Sequence, residues 1–327
     1  MTSLSRLDLP QVTLCCIDST PRLPWSLRAL QRCVDQICFG DAVLCADRAS
    51  LGGRALPEGV RWVEIEPLRS IEAYSHFMLK SLAPIVRTSH VLIVQWDGYV
   101  LQAKAWDDEF LSCDYVGAPW HHVPEPHTVG NGGFSLRSRR LLLALEDPVI
   151  VPSHPEDICI CRTYRARLEA QSLRFAPRTL AGRFAVEDEP LRDDVFGFHG
   201  PYHMPRLLPP DDVLAFIESL GTGAVAGHYF GSLLREMTQT ARADARLQPA
   251  MQALQRLILQ AVDGLQGPKS LTKASLGLCK ALIRYGQYAA AHQLLAQRRA
   301  AHGSAWPDAK LRWRLNVNWL VSFLRSR

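Results

Sequence analysis

Two short segments of this chain carry side chains that could hold a divalent cation. Asp97 and Gly98 directly follow the apolar run His90–Trp96, and a carboxylate placed there can approach a cation that holds a diphosphate. A simple turn is the alternative, because Asp-Gly after a strand forms a turn more often than a metal site. Mg²⁺ and Mn²⁺ prefer oxygen ligands and usually take one or two protein carboxylates, completed by phosphate oxygens and water. His199 lies in the aromatic segment Val195–Gly200. It is either a core histidine or a second protein ligand for the same cation.

A glycine-rich segment with neutral polar groups lies between these two. Gly132 and Gly133 permit close approach of a ligand to the backbone, and Asn131 and Ser135 supply the hydrogen-bonding groups that a sugar hydroxyl requires. Trp120, upstream, offers a flat apolar face. The segment has neither the Gly-Lys-Ser/Thr ending of a phosphate loop nor the glycine spacing of a dinucleotide fingerprint. A glycine-rich hairpin is the structural alternative.

An acidic pair opens an apolar helix further along the chain. Glu156 and Asp157 precede the apolar residues Ile158–Cys161. Acidic residues in a first helical turn complement the helix dipole, which is a purely structural explanation. A carboxylate held at that place beside a hydroxyl could also take its proton as the hydroxyl attacks an electrophile.

The elements that must position these residues alternate between strand and helix. We predict strands over Val12–Ile17, Ala42–Cys45, Val60–Ile65 and His90–Trp96, and helices over Leu27–Cys38 and Tyr74–Val86. Fully apolar strands that alternate with helices indicate an α/β fold with a mostly parallel sheet flanked by helices. Such sheets bind ligands beyond the carboxyl ends of their strands, where Asp18, Asp47 and Asp97 fall.

The pattern changes in the last third of the chain, where Ala, Leu, Gln and Arg replace the strand-like runs. We therefore predict a catalytic domain over residues 1–205 and an all-α region over residues 206–327, with the proline-rich Pro201–Pro210 as linker. Ser275–Ala296 is predicted to form two short helices around Gly286, like one tetratricopeptide helix pair. An ordinary helical appendage explains the same residues.

Composition excludes several classes of protein. The chain has 327 residues, of which 47% are hydrophobic and 21% charged, and this excludes disordered, collagen-like and coiled-coil chains. No apolar run approaches the ~20 residues of a membrane-spanning helix, and the first ten residues lack the apolar core of a secretory signal. The nine cysteines are odd in number and several lie in apolar runs, which favours reduced thiols. We expect a soluble, cytoplasmic protein.

The positive charge is concentrated in the helical region. The net charge is +5, yet residues 206–327 contain 16 Lys and Arg against 7 Asp and Glu. This surplus favours an anionic or protein partner for that region, such as the inner face of a membrane. A solvated, arginine-rich helix face is the alternative. No basic-aromatic module for nucleic acid is recognised, so we expect no nucleic-acid partner.

Taken in order, the segments resemble a bacterial family of glycosyltransferase-like domains of the GT-A fold, long described as of unknown function. The matching pieces are VTLCCID, YSHFMLKSL, VLIVQWDGYVL, DYVGAPW, VGNGGFSLRSRRLL, PEDICICR and FGFHG. The order of GGFSLRS, an acidic pair and a histidine is also similar to inverting β-1,4-galactosyltransferases. The resemblance implies a GT-A-like (Rossmann-like) fold and transfer of a sugar from a nucleotide-diphosphate donor, with a UDP-sugar favoured.

The resemblance also implies roles for the metal site and the base. Asp97 would stand for the metal-binding aspartate of the family's Asp-x-Asp motif, whose first position is occupied here by Gln95. His199 would be the second protein ligand of Mn²⁺ or Mg²⁺. Asp157 would be the general base on the acceptor hydroxyl, with Glu156 orienting sugar or acceptor.

The remaining roles concern donor and acceptor. Asp18 and Asp47 would lie near the nucleotide, and Lys80 would neutralise diphosphate charge, although a solvent-facing helical lysine is an equal alternative. A glycan or another hydroxyl compound would be the acceptor, and bacterial polysaccharide biosynthesis the setting. Two alternatives remain open at this point. One is a nucleotidyltransferase, for which Asp18–Arg22 is a poor version of the usual basic loop, and the other is a non-catalytic carbohydrate-binding or scaffold protein.

Overall fold

The computed structural model describes residues 6–121, 123–124, 127–227, 229–263 and 278–302. The chain divides into two compact units, Met1–Gly200 and Pro201–Arg327. The first is α/β and the second is helical in its described residues. No helix among the described residues is long and apolar enough to cross a membrane.

The strands of the first unit form a six-stranded and a two-stranded sheet. They are β1 (Leu7–Ile17), β2 (Ile37–Ala46), β3 (Arg61–Glu64), β4 (His90–Val94), β5 (Tyr115–Val116), β6 (Ser135–Ser138), β7 (Ala185–Val186) and β8 (Gly197–Phe198). The large sheet has the order β3-β2-β1-β4-β6-β5, and β7 pairs with β8. Strands β1 to β4 are parallel, while β6 is antiparallel to β4 and to β5. The predicted α/β class and the mostly parallel sheet are confirmed.

Helices cover this sheet and support its loops. They are α1 (Leu23–Val34), α2 (Arg48–Leu51), α3 (Ile71–Lys80), α4 (Arg139–Leu145), α5 (Glu156–Ile158), α6 (Arg165–Ala170) and α7 (Arg178–Phe184). One core cluster joins alternate residues of β1, β2 and β4 to α3 and α4, with Cys15, Val43, Ile93, Met78 and Leu142 among its members. This alternation is the period-2 pattern of strands that are buried on both faces.

Strand pairing moves several predicted boundaries. The first strand begins at Leu7, and α1 ends at Val34, because parallel pairing joins Leu7 to Ile37 and recruits the end of the predicted helix into β2. Helix α3 begins one residue after Ser70, whose hydroxyl accepts a hydrogen bond from the Ala73 amide at 3.1 Å. The local spacing of apolar residues does not show where strand pairing and helix capping will set the boundaries of these elements.

The second unit contains α8 (Met204–Leu207), α9 (Pro210–Ser219), α10 (Phe230–Ala243), α11 (Gln248–Asp263), a helical stretch over residues 278–284, and α12 (Tyr288–His302). The proline-rich Pro201–Pro210 is not an open linker, because Tyr202, His203 and Met204 are buried and Pro210 occupies the first turn of α9.

Two predictions for the helical region stay untested. Residues 275–277 of the predicted helix pair lie outside the described residues. In the part that is described, a turn with Gly286 at φ 74° separates the stretch 278–284 from α12. The tetratricopeptide-like assignment and the anionic partner of the basic region therefore stay predictions.

Candidate functional site

Two loops leave the large sheet side by side at its carboxyl edge. The register pairs Cys16 of β1 with Val94 of β4, so the segments that begin at Asp18 and Gln95 leave adjacent parallel strands at the same level. The chain runs from β1 outward to β2 and β3 on one side and then crosses to β4 on the other. A point where strand order reverses in this way is where open α/β sheets bind ligands.

Asp97 lies in a tight turn directly after β4. The Gln95 and Gly98 backbones exchange two hydrogen bonds of 3.1 and 3.2 Å, which closes the turn and turns Asp97 inward. Gly98 is required there, because a Cβ would lie 2.8 Å from the Phe198 carbonyl oxygen. Asp97 is only 4% exposed, yet its Oδ1 accepts no hydrogen bond from any described residue. In the described part of the chain, the charged group closest to this oxygen is the imidazole of His199, which lies within ion-pair distance although it donates no hydrogen bond to it.

His199 faces this oxygen. The His199 Nε2 lies 3.5 Å from Asp97 Oδ1 and 3.2 Å from the side-chain oxygen of Gln95, whose amide nitrogen donates to the Tyr74 hydroxyl. The His199 Nδ1 lies 3.2 Å from a Glu187 carboxylate oxygen. Burial disfavours the charged imidazole, but the carboxylates of Asp97 and Glu187 outweigh it and raise the pKa of His199 well above its ordinary value.

The glycine-rich segment fits between His199 and the acidic pair. A Cβ on Gly133 would lie 2.1 Å from His199 Nε2, and a Cβ on Gly132 would lie 2.0 Å from Glu156 Oε1. The two consecutive glycines therefore pack directly against the imidazole on one side and the carboxylate on the other. Any other residue at either position would displace these groups.

Asp157 is held beside the same glycines. Its Oδ2 accepts a hydrogen bond from the Gly132 amide at 3.2 Å, and its Oδ1 accepts one from the Ile158 amide at 2.8 Å. The side chain is half-buried, so solvent and ligands can reach it. Asp97, His199 and Asp157, which the sequence predicted as metal ligands and base, are thus brought together around one glycine loop.

Glu156 faces inward and supports this loop. Its Oε1 pairs with Arg137 at 3.2 Å, and Arg137, which is fully buried, also donates to the Gly132 carbonyl at 3.3 Å. Burial raises the pKa of Glu156 although Arg137 opposes this shift. The expectation that Glu156 orients sugar or acceptor is corrected, because its carboxylate packs behind Gly132 and is only 5% exposed.

Asn131 has a strained backbone and an incompletely bonded side chain. Its φ of 64° lies in the left-handed region, and its Oδ1 accepts from the Gly133 amide at 3.2 Å. The side chain is 2% exposed, and its Nδ2 finds no partner among the described residues. Strain combined with an unmet buried donor is characteristic of a ligand site.

Asp18 and Asp47 hold the loops after β1 and β2. Asp18 accepts from the Thr20 amide at 2.8 Å and from the Ser26 hydroxyl at 2.5 Å, while burial raises its pKa. The Asp47 carboxylate caps α2 by accepting from the Ser50 amide at 2.9 Å, and these Ser50 contacts lower its pKa. A cavity of about 370 Å³ lies beside both loops, and its lining includes Thr20 and Ser50.

The side chains of three further predicted residues are engaged by other parts of the protein, which corrects the ligand-binding roles expected for them. The Lys80 ammonium donates to the carbonyls of Leu145 and Asp147 at 2.6 and 2.8 Å, so it ties α3 to the end of α4 and not to a diphosphate. The Ser135 hydroxyl is fully buried, donates to the Gly132 carbonyl and accepts from the Arg137 guanidinium.

Trp120 is the third. It is 8% exposed, with Gly130 packed against its ring, where a Cβ would lie 1.9 Å away, and with the Arg162 guanidinium 5.3 Å from its ring centre. An aromatic ring covered in this way does not present the flat open face expected for a sugar.

Two residues of the site were not predicted. Glu187 directly follows β7 and lies next to His199, and the acidic stretch Glu187–Glu189 before FGFHG was a sequence signal for it. Arg22 follows the loop after β1, and its guanidinium lies 4.8 Å from the ring centre of Trp96. Arg22 therefore brings a positive charge to the point where β1 and β4 diverge.

The residues at this edge fit a divalent cation that takes most of its ligands from a substrate. Asp97 Oδ1 accepts no hydrogen bond from the described residues, and its distance of 3.5 Å from His199 Nε2 is one that a cation could bridge in place of this ion pair, once the imidazole has lost its Nε2 proton. In the part of the chain that the structure describes, no cluster of three or more His, Cys, Asp or Glu forms a complete protein site. Phosphate oxygens and water would supply the remaining ligands.

Comparisons with known proteins add a family match without an activity. Residues 59–199, less than half of the chain, match a family described as "Protein of unknown function (DUF5672)". The matched stretch contains Asp97, Asp157, Glu187 and His199. No curated protein matches the chain.

One of the solved structures that match the chain is a fragment with low similarity to it. The crystal structure of S. aureus TarS residues 1–349 aligns over 89% of this chain and 92% of that one, with 12% identity and a TM-score of 0.35. A score this low does not indicate a shared fold.

Proposed function

We propose that this protein is a hexosyltransferase-type glycosyltransferase that moves a sugar from a nucleotide-diphosphate donor to a hydroxyl acceptor, with metal assistance and inversion. The observation that carries the proposal is the grouping of three side chains around Gly132 and Gly133. Asp97 and His199 lie on one side of this loop and are the two proposed protein ligands of the cation. Asp157 lies on the other side, and a ligand can reach its carboxylate.

The acceptor side of the reaction belongs to Asp157. Its carboxylate takes the proton of the acceptor hydroxyl, whose oxygen forms a bond to the anomeric carbon of the donor sugar. The bond between that carbon and the diphosphate oxygen breaks, and the diphosphate leaves with the electron pair. Attack opposite to the leaving group inverts the anomeric configuration. The Gly132 amide, which donates to Asp157 Oδ2, fixes the direction of the carboxylate.

The donor side belongs to the loops after β1 and β4. Asp97 and His199 would hold Mn²⁺ or Mg²⁺, which when bound supplies Lewis-acid stabilisation of the leaving diphosphate. Arg22 takes over the role predicted for Lys80, because its guanidinium lies at the same divergence point while the Lys80 ammonium is engaged elsewhere. The 370 Å³ cavity beside the Asp18 and Asp47 loops is the proposed place of the nucleoside, with UDP favoured.

The fold and setting are part of the same proposal. A mostly parallel sheet with its site at the β1–β4 divergence is what a GT-A-like domain over residues 1–205 requires. The Asn131 amide and the Gly132–Gly133 backbone would contact the transferred sugar. Polysaccharide biosynthesis at the cytoplasmic face of a bacterial membrane is the proposed context, with a glycan or another hydroxyl compound as acceptor.

Calorimetric titration of the full chain with UDP tests the proposal. We expect UDP to bind in the presence of Mn²⁺ and at least tenfold more weakly after chelation, and Asp97→Asn to abolish this difference. Hydrolysis of a UDP-sugar by the wild-type protein would then identify the donor from a panel. Absence of nucleotide binding, with binding of glycan instead, would overturn the transferase and favour a carbohydrate-binding protein.

A further inference from the structure

Several separate segments of the first unit contact the imidazole of His199. Gly133 packs against its Nε2 side, and Gly98 packs against its Cδ2 side, where a Cβ would lie 3.1 Å away. Gln95 and Asp97 meet Nε2, whereas Glu187 alone of these groups meets Nδ1, at 3.2 Å. The two nitrogens of the ring therefore face different partners.

The small two-stranded sheet places Glu187 beside the Nδ1 edge of His199. Parallel pairing joins Ala185 to Gly197 and Val186 to Phe198, and the His199 amide donates to the Val186 carbonyl at 3.0 Å. The next residue after Val186 is Glu187, so the pairing sets its carboxylate beside the ring of His199. Glu187 is the first residue of the bend that follows β7, directly after the last paired residue.

We propose that Glu187 is a positioning residue that keeps a proton on His199 Nδ1 and so directs Nε2 toward Asp97 for cation binding. A histidine ligand commonly donates its other ring N–H to a carboxylate, which fixes the tautomer and the ring orientation. Glu187 acts through the ring, since it meets the edge opposite to the one that faces Asp97. The inference rests on the proposed function for the cation, but its geometry concerns the free protein.

Nuclear magnetic resonance of the full chain labelled with ¹⁵N-histidine tests this directly, with His199 assigned from the spectrum of His199→Gln. At pH 8 without metal, we expect Nδ1 of His199 to carry a proton in the wild type and in Glu187→Gln, whose amide oxygen still accepts. Acceptors also face Nε2, so both ring nitrogens carry protons while the ring is charged. In Glu187→Ala we expect the charged ring to lose a proton at a lower pH than in the wild type, and the proton that remains to lie largely on Nε2. Glu189→Ala is the matched control, because Glu189 lies in the same acidic stretch but contacts His121.

Mn²⁺ titration, followed by calorimetry in the presence of UDP, is the second readout. We expect Glu187→Ala to weaken Mn²⁺ binding by about 10- to 100-fold, Glu187→Gln to retain most of the affinity, and Glu189→Ala to match the wild type. An unchanged His199 ring in Glu187→Ala would overturn the positioning role. If the wild type bound no Mn²⁺, the proposed function would fail, while the ring spectra would still decide the role of Glu187.

Discussion

Two buried aspartates at opposite ends of the same sheet differ in how completely the protein satisfies them. Asp114, at the end where β6 finishes and β4 begins, accepts from the Ser138 hydroxyl at 2.5 Å, from both sides of the Arg140 guanidinium, and from the Arg174 amide at 2.7 Å. Asp97, at the carboxyl edge, keeps one oxygen without a hydrogen bond from the described residues.

This difference separates a carboxylate that is bonded within the protein from one that we propose binds a ligand. The partners of Asp114 use its acceptor capacity within the protein, so its charge stabilises the fold and is not offered to a ligand. Among the residues that the structure describes, the charge of Asp97 meets only the imidazole of His199 at ion-pair distance, and we propose that a bound cation takes the place of this contact. Burial alone does not make the distinction, because the two residues are 6% and 4% exposed.

The largest expected effect concerns the proton acceptor at the functional edge. Asp157→Asn should lower the rate of sugar transfer by about 10²- to 10⁴-fold, because the amide cannot take a proton from the acceptor hydroxyl. UDP affinity in the presence of Mn²⁺ should stay within about twofold of wild type, since Asp157 does not lie on the diphosphate side. Transfer kinetics and calorimetry check the two parts, and near-normal turnover would rule out Asp157 as the base.

The same substitution at Asp97 and at Asp114 tests whether the two aspartates have different roles. Asp97→Asn should weaken Mn²⁺-dependent UDP binding at least tenfold. Its loss of unfolding free energy should be smaller than that of Asp114→Asn. Asp114→Asn should leave UDP binding unchanged and lower the free energy of unfolding by about 1–3 kcal/mol, because it removes charged hydrogen bonds. Urea unfolding and UDP titration of both variants are the measurements. The reverse order of effects would contradict the assignment of roles.

Two basic residues provide a similar contrast at the donor side. Arg22→Met should weaken UDP binding by about tenfold, which corresponds to about 1.4 kcal/mol of binding free energy. Lys80→Met should leave UDP affinity unchanged and lower stability by about 1 kcal/mol, because two carbonyls at the end of α4 lose their donor. Calorimetry distinguishes the pair, and a tenfold effect of Lys80→Met alone would restore Lys80 as the diphosphate residue.

The smallest effect is a pH dependence at the structural aspartate. Although burial opposes ionisation, the bonds from Arg140 and Ser138 lower the pKa of Asp114 below its ordinary value. A lowered folded-state pKa contributes stability that is present above the unfolded value of about 3.9 and is lost as the pH falls through the folded value.

The difference in unfolding free energy between wild type and Asp114→Asn should therefore be constant from pH 7 to about pH 5 and shrink below about pH 4. Urea unfolding at pH 7, 5 and 3.5 measures it. A difference that already falls between pH 7 and 5 would contradict this explanation.

The sequence was sufficient to predict the sheet and the acidic residues at its edge, because apolar strands and the residues that follow them are local patterns. Asp97 was proposed in this way, whereas the roles of Asp157 and His199 came from the family resemblance, and all three assignments stay predictions. Local pattern could not show that Glu156 faces Arg137 or that Lys80 is bound by α4, since both depend on contacts between distant segments.

Glu187 and Arg22, which the sequence did not predict, also depend on contacts between distant segments. Glu187 reaches His199 only because β7 and β8 pair, and Arg22 reaches Trp96 only because β1 and β4 are neighbours. A sequence shows the charge of such residues, but the topology decides which of them meet.

A crystal structure of the protein with UDP and Mn²⁺, recorded with anomalous scattering from manganese, tests the central claim most directly. We predict one manganese peak bonded to Asp97 Oδ1 and His199 Nε2, with the diphosphate bound to it near Arg22. A manganese peak elsewhere, or UDP bound away from the β1–β4 divergence, would contradict the account.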